Sequence, residues 1–398
     1  MRLAQRLSTV APSATLALAE KAKELAAAGR DIVNLTAGEP DFPIAAHVAE
    51  ALIKAVRDGE TRYTAVTGIL PLREAIAAHY RKKGLAVGPG EVVVSTGAKQ
   101  SIYGAALALL EPGDEAILFA PYWLSYADIV RLAEATPVVL SGDEDRGFLI
   151  SPEALEAAIT PKTRLLILNS PSNPSGAVYD RAALLGLAEV LRRHPQVAVL
   201  SDEIYERFVY GDAAYTSLLE VAPDLAPRTL IVSGCSKTYA MTGLRIGWAV
   251  GPKALISALG KIQGQSTSSP VAPTQWAALA AITGDQSPVE AMVQAFDARR
   301  KFLVGRLRAL PNVRCFDPRG AFYVLPNFSA YVGRRLPDGS PIDDAYALSA
   351  HLLHDHGLVV VPGGPFGAKD HLRLSFSYDL STLAKGVDRL QAALSGIR

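Results

Sequence analysis

The sequence predicts an α/β protein built on a doubly wound, mostly parallel sheet, joined to a second, smaller α+β domain. Six short runs are almost continuously apolar and rich in Val, Ile and Leu: 91–95, 115–119, 136–140, 163–168, 197–201 and 229–233. Strands covered on both faces read this way. Alanine- and leucine-rich stretches such as 101–110 and 182–193 lie between most of these runs. Strand alternating with helix sets successive strands parallel, with right-handed crossovers. The pattern then changes after about Gln275, where long helical segments (276–282, 289–310) lead to short strands around 321–325 and 371–376.

We therefore expect a large ligand-binding domain over residues 43–280 and a small domain made from the two termini, 1–42 and 281–398. Residues 17–28 read as a helix of the N-terminal segment, and 333–341 as a polar surface loop. There is no internal repeat and no low-complexity tract.

Composition narrows the function. A chain of 398 residues with 49% hydrophobic residues can bury a large core. Forty Lys and Arg against 39 Asp and Glu leave a formal charge of +1, so there is no net field to recruit nucleic acid or anionic lipid, and a charged ligand has to be recognised locally. Residues 1–10 carry Arg2 and Arg6 among apolar residues and lack an apolar core of signal-peptide length, and no run reaches transmembrane length. With only Cys235 and Cys315, a disulfide framework is excluded. These features predict a cytoplasmic protein without a membrane or nucleic-acid partner.

The chemistry concentrates at strand ends, where ligands of such sheets bind. In Ser233-Gly234-Cys235-Ser236-Lys237-Thr238, a lysine among small residues follows an apolar run, and Arg245 comes eight positions later. A desolvated lysine beside other positive charge loses its proton readily, which suits Schiff-base chemistry. Small neighbours admit a flat ring, and Ser236 and Arg245 can take a phosphate. The set suits pyridoxal phosphate; a lone lysine of this kind could equally be a surface residue after a strand.

Other segments supply what such a cofactor needs. Asp202, at the end of 197–201, could hold a ring nitrogen protonated, and Tyr205, three residues on, could bond the ring's phenolic oxygen. A helix N-cap aspartate and a half-buried tyrosine are the ordinary alternative. In Asn169-Ser170-Pro171-Ser172-Asn173-Pro174, two prolines fix a loop that aims the Asn173 amide, though a plain turn uses the same residues. Ser95-Thr96-Gly97-Ala98-Lys99 opens a helix straight after a strand and offers backbone N–H groups to an anion. Trp123 could stack on a flat ring or simply pack as an aromatic. Arg373 alternates with Leu372 and Leu374, so it is either an exposed strand arginine or a bidentate carboxylate ligand facing a cleft.

Taken together, these residues resemble the class I/II aminotransferases of the type I pyridoxal-phosphate fold, and among them the bacterial aspartate and prephenate branch. The resemblance runs from Pro12-Ser13-Ala14-Thr15 through Ala37-Gly38-Glu39-Pro40-Asp41-Phe42 and the motifs above to Arg373. It implies that Lys237 is the Schiff-base lysine and proton shuttle, with Asp202 against the ring nitrogen, Tyr205 and Asn173 on the phenolic oxygen, and Trp123 on the ring. Gly97, Ala98, Ser236 and Arg245 would hold the phosphate together with Tyr63 of a neighbouring subunit, which implies a homodimer with shared active sites. Gly38, Asn173 and Arg373 would bind the substrate α-carboxylate, and Ser13, Thr15 and Lys99 the distal carboxylate of aspartate or glutamate. Lys99 thus stands beside both the phosphate turn and the substrate. The partners implied are amino acids and 2-oxo acids.

Leu244 and Ser172 depart from the family pattern and could alter the width of the pocket, hence tolerance of aromatic amino acids or prephenate. Rival readings are a C–S lyase or decarboxylase on the same fold, and a pyridoxal-phosphate-binding transcription regulator, which would need a DNA-binding domain ahead of a pattern that already begins at Pro12. His351, His354 and His356 have ligand-like proximity, but they precede Gly357 at a helix end, where histidines serve the helix dipole. No metal is expected.

Overall fold

The computed structural model describes residues 1–10 and 14–398, with the side chains of residues 14–16 and 19 outside the description. Its centre is a seven-stranded sheet: β1 (Val92–Ser95), β2 (Glu115–Ala120), β3 (Thr136–Ser141), β4 (Thr163–Asn169), β5 (Ala198–Asp202), β6 (Thr229–Gly234) and β7 (Gly247–Val250). The strand order is β1-β7-β6-β5-β4-β2-β3. Only β7 runs against its neighbours β1 and β6; the other pairs are parallel.

The two-residue period of a strand sorts its side chains into two cores. Val93, Leu118, Leu165, Ile167, Leu200 and Val232 face helices Ala98–Leu109, Ser125–Leu132 and Lys253–Gly264. Val92, Val94, Ile117, Leu166, Val199 and Ile231 face helices Leu70–Lys82, Arg181–Arg193 and Ala272–Thr283. Both faces are dry, which is why the runs read as apolar throughout.

Two features depart from the sequence expectation. Run 136–140 forms β3, which is not buried on both faces: it pairs with β2 alone, its residues are exposed or half-exposed, and Val139 is 43% exposed. Pro137, which cannot donate to a ladder, already marks an edge. Strand β7 was not expected, because four residues entered straight after Arg245 look like the tail of the lysine motif.

A separate core gathers the C-terminal residues. The helix Ser287–Arg308 packs Phe296 and Leu303 against Phe322, Phe376, Leu383 and Leu390. Strands Tyr323–Val324 and Leu372–Ser375 pair antiparallel, Leu374 opposite Val324. The N-terminal segment joins this core through Val33 and Leu35, and Val33–Asn34 pairs in parallel with Leu358–Val359. Tyr205, Phe208 and Tyr210, which follow β5, also insert here, so the residues after Asp202 connect the sheet to the second core. The helix Ala345–His356 ends at left-handed Gly357, and buried His351 pairs its Nδ1 with Asp355 at 2.7 Å. Residues 333–341 form turns and mostly exposed loop.

Candidate active site

Because β7 is reversed, its amino end lies at the same sheet edge as the carboxyl ends of β1, β2, β4, β5 and β6, and Gly247 sits opposite both Ser95 and Gly234. That edge opens into a cavity of about 300 Å³ lined by Gly38, Ala98, Lys99, Trp123, Asn173, Asp202, Tyr205, Ser236, Lys237, Arg245 and Arg373. All of these were proposed from the sequence. Gly97 lies just beneath Arg245. Tyr63 is 89% exposed, away from the cavity of its own chain. Ser13 and the side chain of Thr15 lie outside the described residues.

The anion end is built on two glycines. Gly97 has φ +79°, and a Cβ there would meet Arg245 Nη2 at 2.5 Å; a Cβ on Gly247 would meet the Ala98 amide nitrogen at 2.4 Å. Without side chains at these positions, Arg245 lies across the turn where helix Ala98–Leu109 begins, so a guanidinium adjoins a helix amino end. Arg245 holds a left-handed φ of +51° and donates Nη1 to the Thr242 carbonyl at 2.9 Å, a strained non-glycine conformation of the kind that collects at functional sites. Ser236 completes this end from the first turn after β6.

Asp202 closes β5 and is 4% exposed. Burial pushes its carboxyl up to about 6, against the hydrogen bonds from Tyr126 and the Ile204 amide and the charge of Lys237. Tyr126 Oη donates to Oδ2 at 2.6 Å, and the Ile204 N–H to Oδ1 at 3.2 Å. Asn169 donates Nδ2 to the Asp202 carbonyl at 3.0 Å and accepts the Asn173 N–H through Oδ1 at 2.9 Å. The amide loop and the carboxylate are thereby set in one frame.

Lys237 Nζ donates to the Gly38 carbonyl. Burial pushes its amine down to about 8; the Glu39 carboxylate opposes this, and the positive charges of Arg245 and Arg373 add to it. An amine with this proton affinity exchanges protons near neutral pH. Arg373 is 2% exposed, with Nη2 on the Thr36 carbonyl at 2.8 Å and Nη1 on Asn173 Oδ1 at 3.2 Å. Its Nε is buried without a partner among the described residues. An arginine held by neutral acceptors keeps its charge for an anion. Lys99 Nζ lies 4.6 Å from the centre of the Trp123 ring at the cavity rim.

Residues 30–390 match the family model described as Aminotransferase class I and II. The chain belongs to that family. It is 46% identical to the aspartate/prephenate aminotransferase of Cereibacter sphaeroides over 99% of each chain, and 44% identical to the aspartate aminotransferase of Geobacillus stearothermophilus over 98% of each. The crystal structure of the aspartate aminotransferase from Rhizobium meliloti covers all of both chains at TM-score 0.97 and 40% identity. The Thermus thermophilus aspartate aminotransferase with maleate matches at TM-score 0.92 and 40% identity, over 99% of this chain and all of that one. The fold is the mostly parallel sheet of these aminotransferases, and the chain is an aminotransferase, an enzyme class that generally works with pyridoxal phosphate. No helix among the described residues is long and apolar enough to cross a membrane.

Seven cavity residues escaped the sequence reading, and three of them carry polar side chains that hold the site together: Tyr126, Asn169 and Tyr323. Tyr126 lies three residues past Trp123, a helical spacing that stacks the two rings edge to face at 5.3 Å, so a signal was present. Asn169 stood in the quoted loop without a role. Leu244 packs against the core behind the sheet, and Ser172 faces a small neighbouring cavity, so neither lines the site.

Proposed function

We propose that this protein is an aspartate aminotransferase that works with pyridoxal phosphate and exchanges an amino group between aspartate or glutamate and the matching 2-oxo acids. The observation that carries this is the convergence on one cavity of an amine whose proton affinity burial lowers to about 8 (Lys237), a buried carboxylate (Asp202) and a buried arginine whose Nε has no partner among the described residues (Arg373). The residues fit the cofactor. Asp202 needs a positive partner to ionise fully, which a protonated ring nitrogen provides; the Gly97 turn, Ser236 and Arg245 fit a phosphate; Trp123 offers a ring face. When bound, pyridoxal phosphate supplies an aldehyde that condenses with amines and a ring that accepts the electrons of a broken Cα bond.

The chain's own groups do the rest. Arg373 with Asn173 and Gly38 fixes the α-carboxylate, which orients the Cα–H bond. Lys237 accepts the Cα proton at Nζ and later releases it. Asp202, held by Tyr126, keeps the ring nitrogen protonated. Tyr205 and Asn173 face the phenolic oxygen. Lys99 meets the distal carboxylate, with Ser13 and Thr15. The relatives named for aspartate support that choice. We also read the working unit as a cytoplasmic homodimer, with Tyr63 reaching the phosphate of the partner's site. Its exposure supports this, as do the exposed apolar side chains Ile53, Val56 and Val271 around the packed helices Ala46–Arg57 and Ala272–Thr283.

The test is a panel of amino donors with 2-oxoglutarate as acceptor. Aspartate should exceed phenylalanine and alanine at least tenfold in kcat/KM; preference for phenylalanine would overturn the assignment. Prephenate belongs in the acceptor series, because several relatives carry it in their names.

A further inference from the structure

Tyr323 is the one cavity residue contributed by strand Tyr323–Val324, and it touches both ends of the site. Its side chain is 1% exposed, and its hydroxyl lies 3.0 Å from the hydroxyl of Tyr205. The guanidinium carbon of Arg373 lies 4.6 Å from the centre of its ring, with the Phe366 ring at 5.1 Å. The backbone of Gly38 passes so close that a Cβ there would meet the Tyr323 hydroxyl at 3.5 Å. The charged and titratable groups bearing on this pair are Arg373 from its own sheet, Asp202 from the end of β5, and Glu39 from the segment beyond Gly38.

We propose that Tyr323 is a positioning residue that sets two groups at once: its hydroxyl orients and polarises the Tyr205 phenol, and its ring carries the Arg373 guanidinium. This rests on the pyridoxal-phosphate reading above. Either hydroxyl of the pair can donate. When Tyr323 donates, the Tyr205 proton is free to point into the cavity, and a phenol that accepts one hydrogen bond is a stronger donor in the next. The ring attracts the cation electrostatically and presents its guanidinium plane to the cavity. Through one side chain, the group facing the cofactor's phenolic oxygen and the group facing the substrate's carboxylate share a support.

Two variants separate the two contacts. In Tyr323→Phe the ring stays and the hydroxyl goes. Tyr205 becomes a weaker donor to the phenolic oxygen, that oxygen becomes more basic, and the pH midpoint of the bound cofactor's absorbance change rises by about 0.3 to 0.7, a two- to fivefold change in proton affinity. KM for aspartate stays within twofold. In Tyr323→Leu the ring goes as well, and KM for aspartate rises about three- to thirtyfold, more than kcat falls, with Phe366 left to support the arginine. The proposal is overturned if Tyr323→Phe leaves the absorbance midpoint in place, or if it raises KM as much as Tyr323→Leu does. The wild-type protein is the control for the underlying reading: a wild type that shows no pH-dependent cofactor absorbance refutes the cofactor assignment, whereas a normal wild type beside an unshifted Tyr323→Phe refutes only the role of Tyr323.

Discussion

Asp202 should cost the cofactor-free protein stability that its removal restores. The carboxyl rises from an ordinary 3.8 to about 6, chiefly because it is buried. A folded-state value above the unfolded one means that the native chain holds its proton more tightly. The penalty is therefore absent below about pH 3.8, grows as pH rises toward 6, and is complete above about pH 7. At about 1.4 kcal/mol per unit, the rise amounts to about 3 kcal/mol. Asp202→Asn keeps an acceptor for Tyr126 Oη and removes the titration. Urea unfolding of cofactor-free wild type and variant, measured between pH 4 and pH 8, should give a difference that starts near zero and grows to about 3 kcal/mol in favour of the variant. With pyridoxal phosphate present the order should reverse, because the variant lacks the partner of the ring nitrogen and binds the cofactor more weakly. A stability difference that stays flat across this range would refute the reasoning that an isolated buried carboxylate waits for a cation.

Glu206 should behave in the opposite sense. Burial raises its carboxyl, but His79 at 3.1 Å and Lys83 override that and hold it at about 2. Its contribution is present above the ordinary carboxylate value and fades as pH falls from about 4.5 toward 2, so Glu206→Gln should destabilise by about 3 kcal/mol at pH 7 and by less than half of that, about 1.4 kcal/mol, at pH 3, read by denaturant unfolding. Arg373→Lys keeps the charge but loses the planar fork; KM for both amino donor and 2-oxo acid should rise at least tenfold while the absorbance of the bound cofactor is unchanged, as steady-state kinetics and a spectrum would show.

Much of the sheet was legible in the sequence because strands β2, β4, β5 and β6 are covered on both faces, so their side chains had to be apolar without interruption. The residues of the candidate cavity were legible for a related reason: a doubly wound sheet brings the ends of sequence-distant strands together at one edge, and most of these motifs stood just after an apolar run. What stayed hidden depends on partners far away in the chain. Tyr126 reaches Asp202 across 76 residues and Tyr205 reaches Tyr323 across 118, and no local period encodes those meetings. Strand β7 is short and follows the lysine motif without a break, while β3, an edge strand, kept an apolar run because Val138 and Leu140 still pack against the core.

The most direct measurement is to incubate the purified protein with pyridoxal phosphate, reduce it with borohydride, digest it and locate the added mass by mass spectrometry. One stoichiometric adduct on the peptide containing Lys237, absent in Lys237→Ala although that variant stays folded, is the expected result. An adduct on another lysine, or none at all, would contradict the assignment of this cavity as the active site.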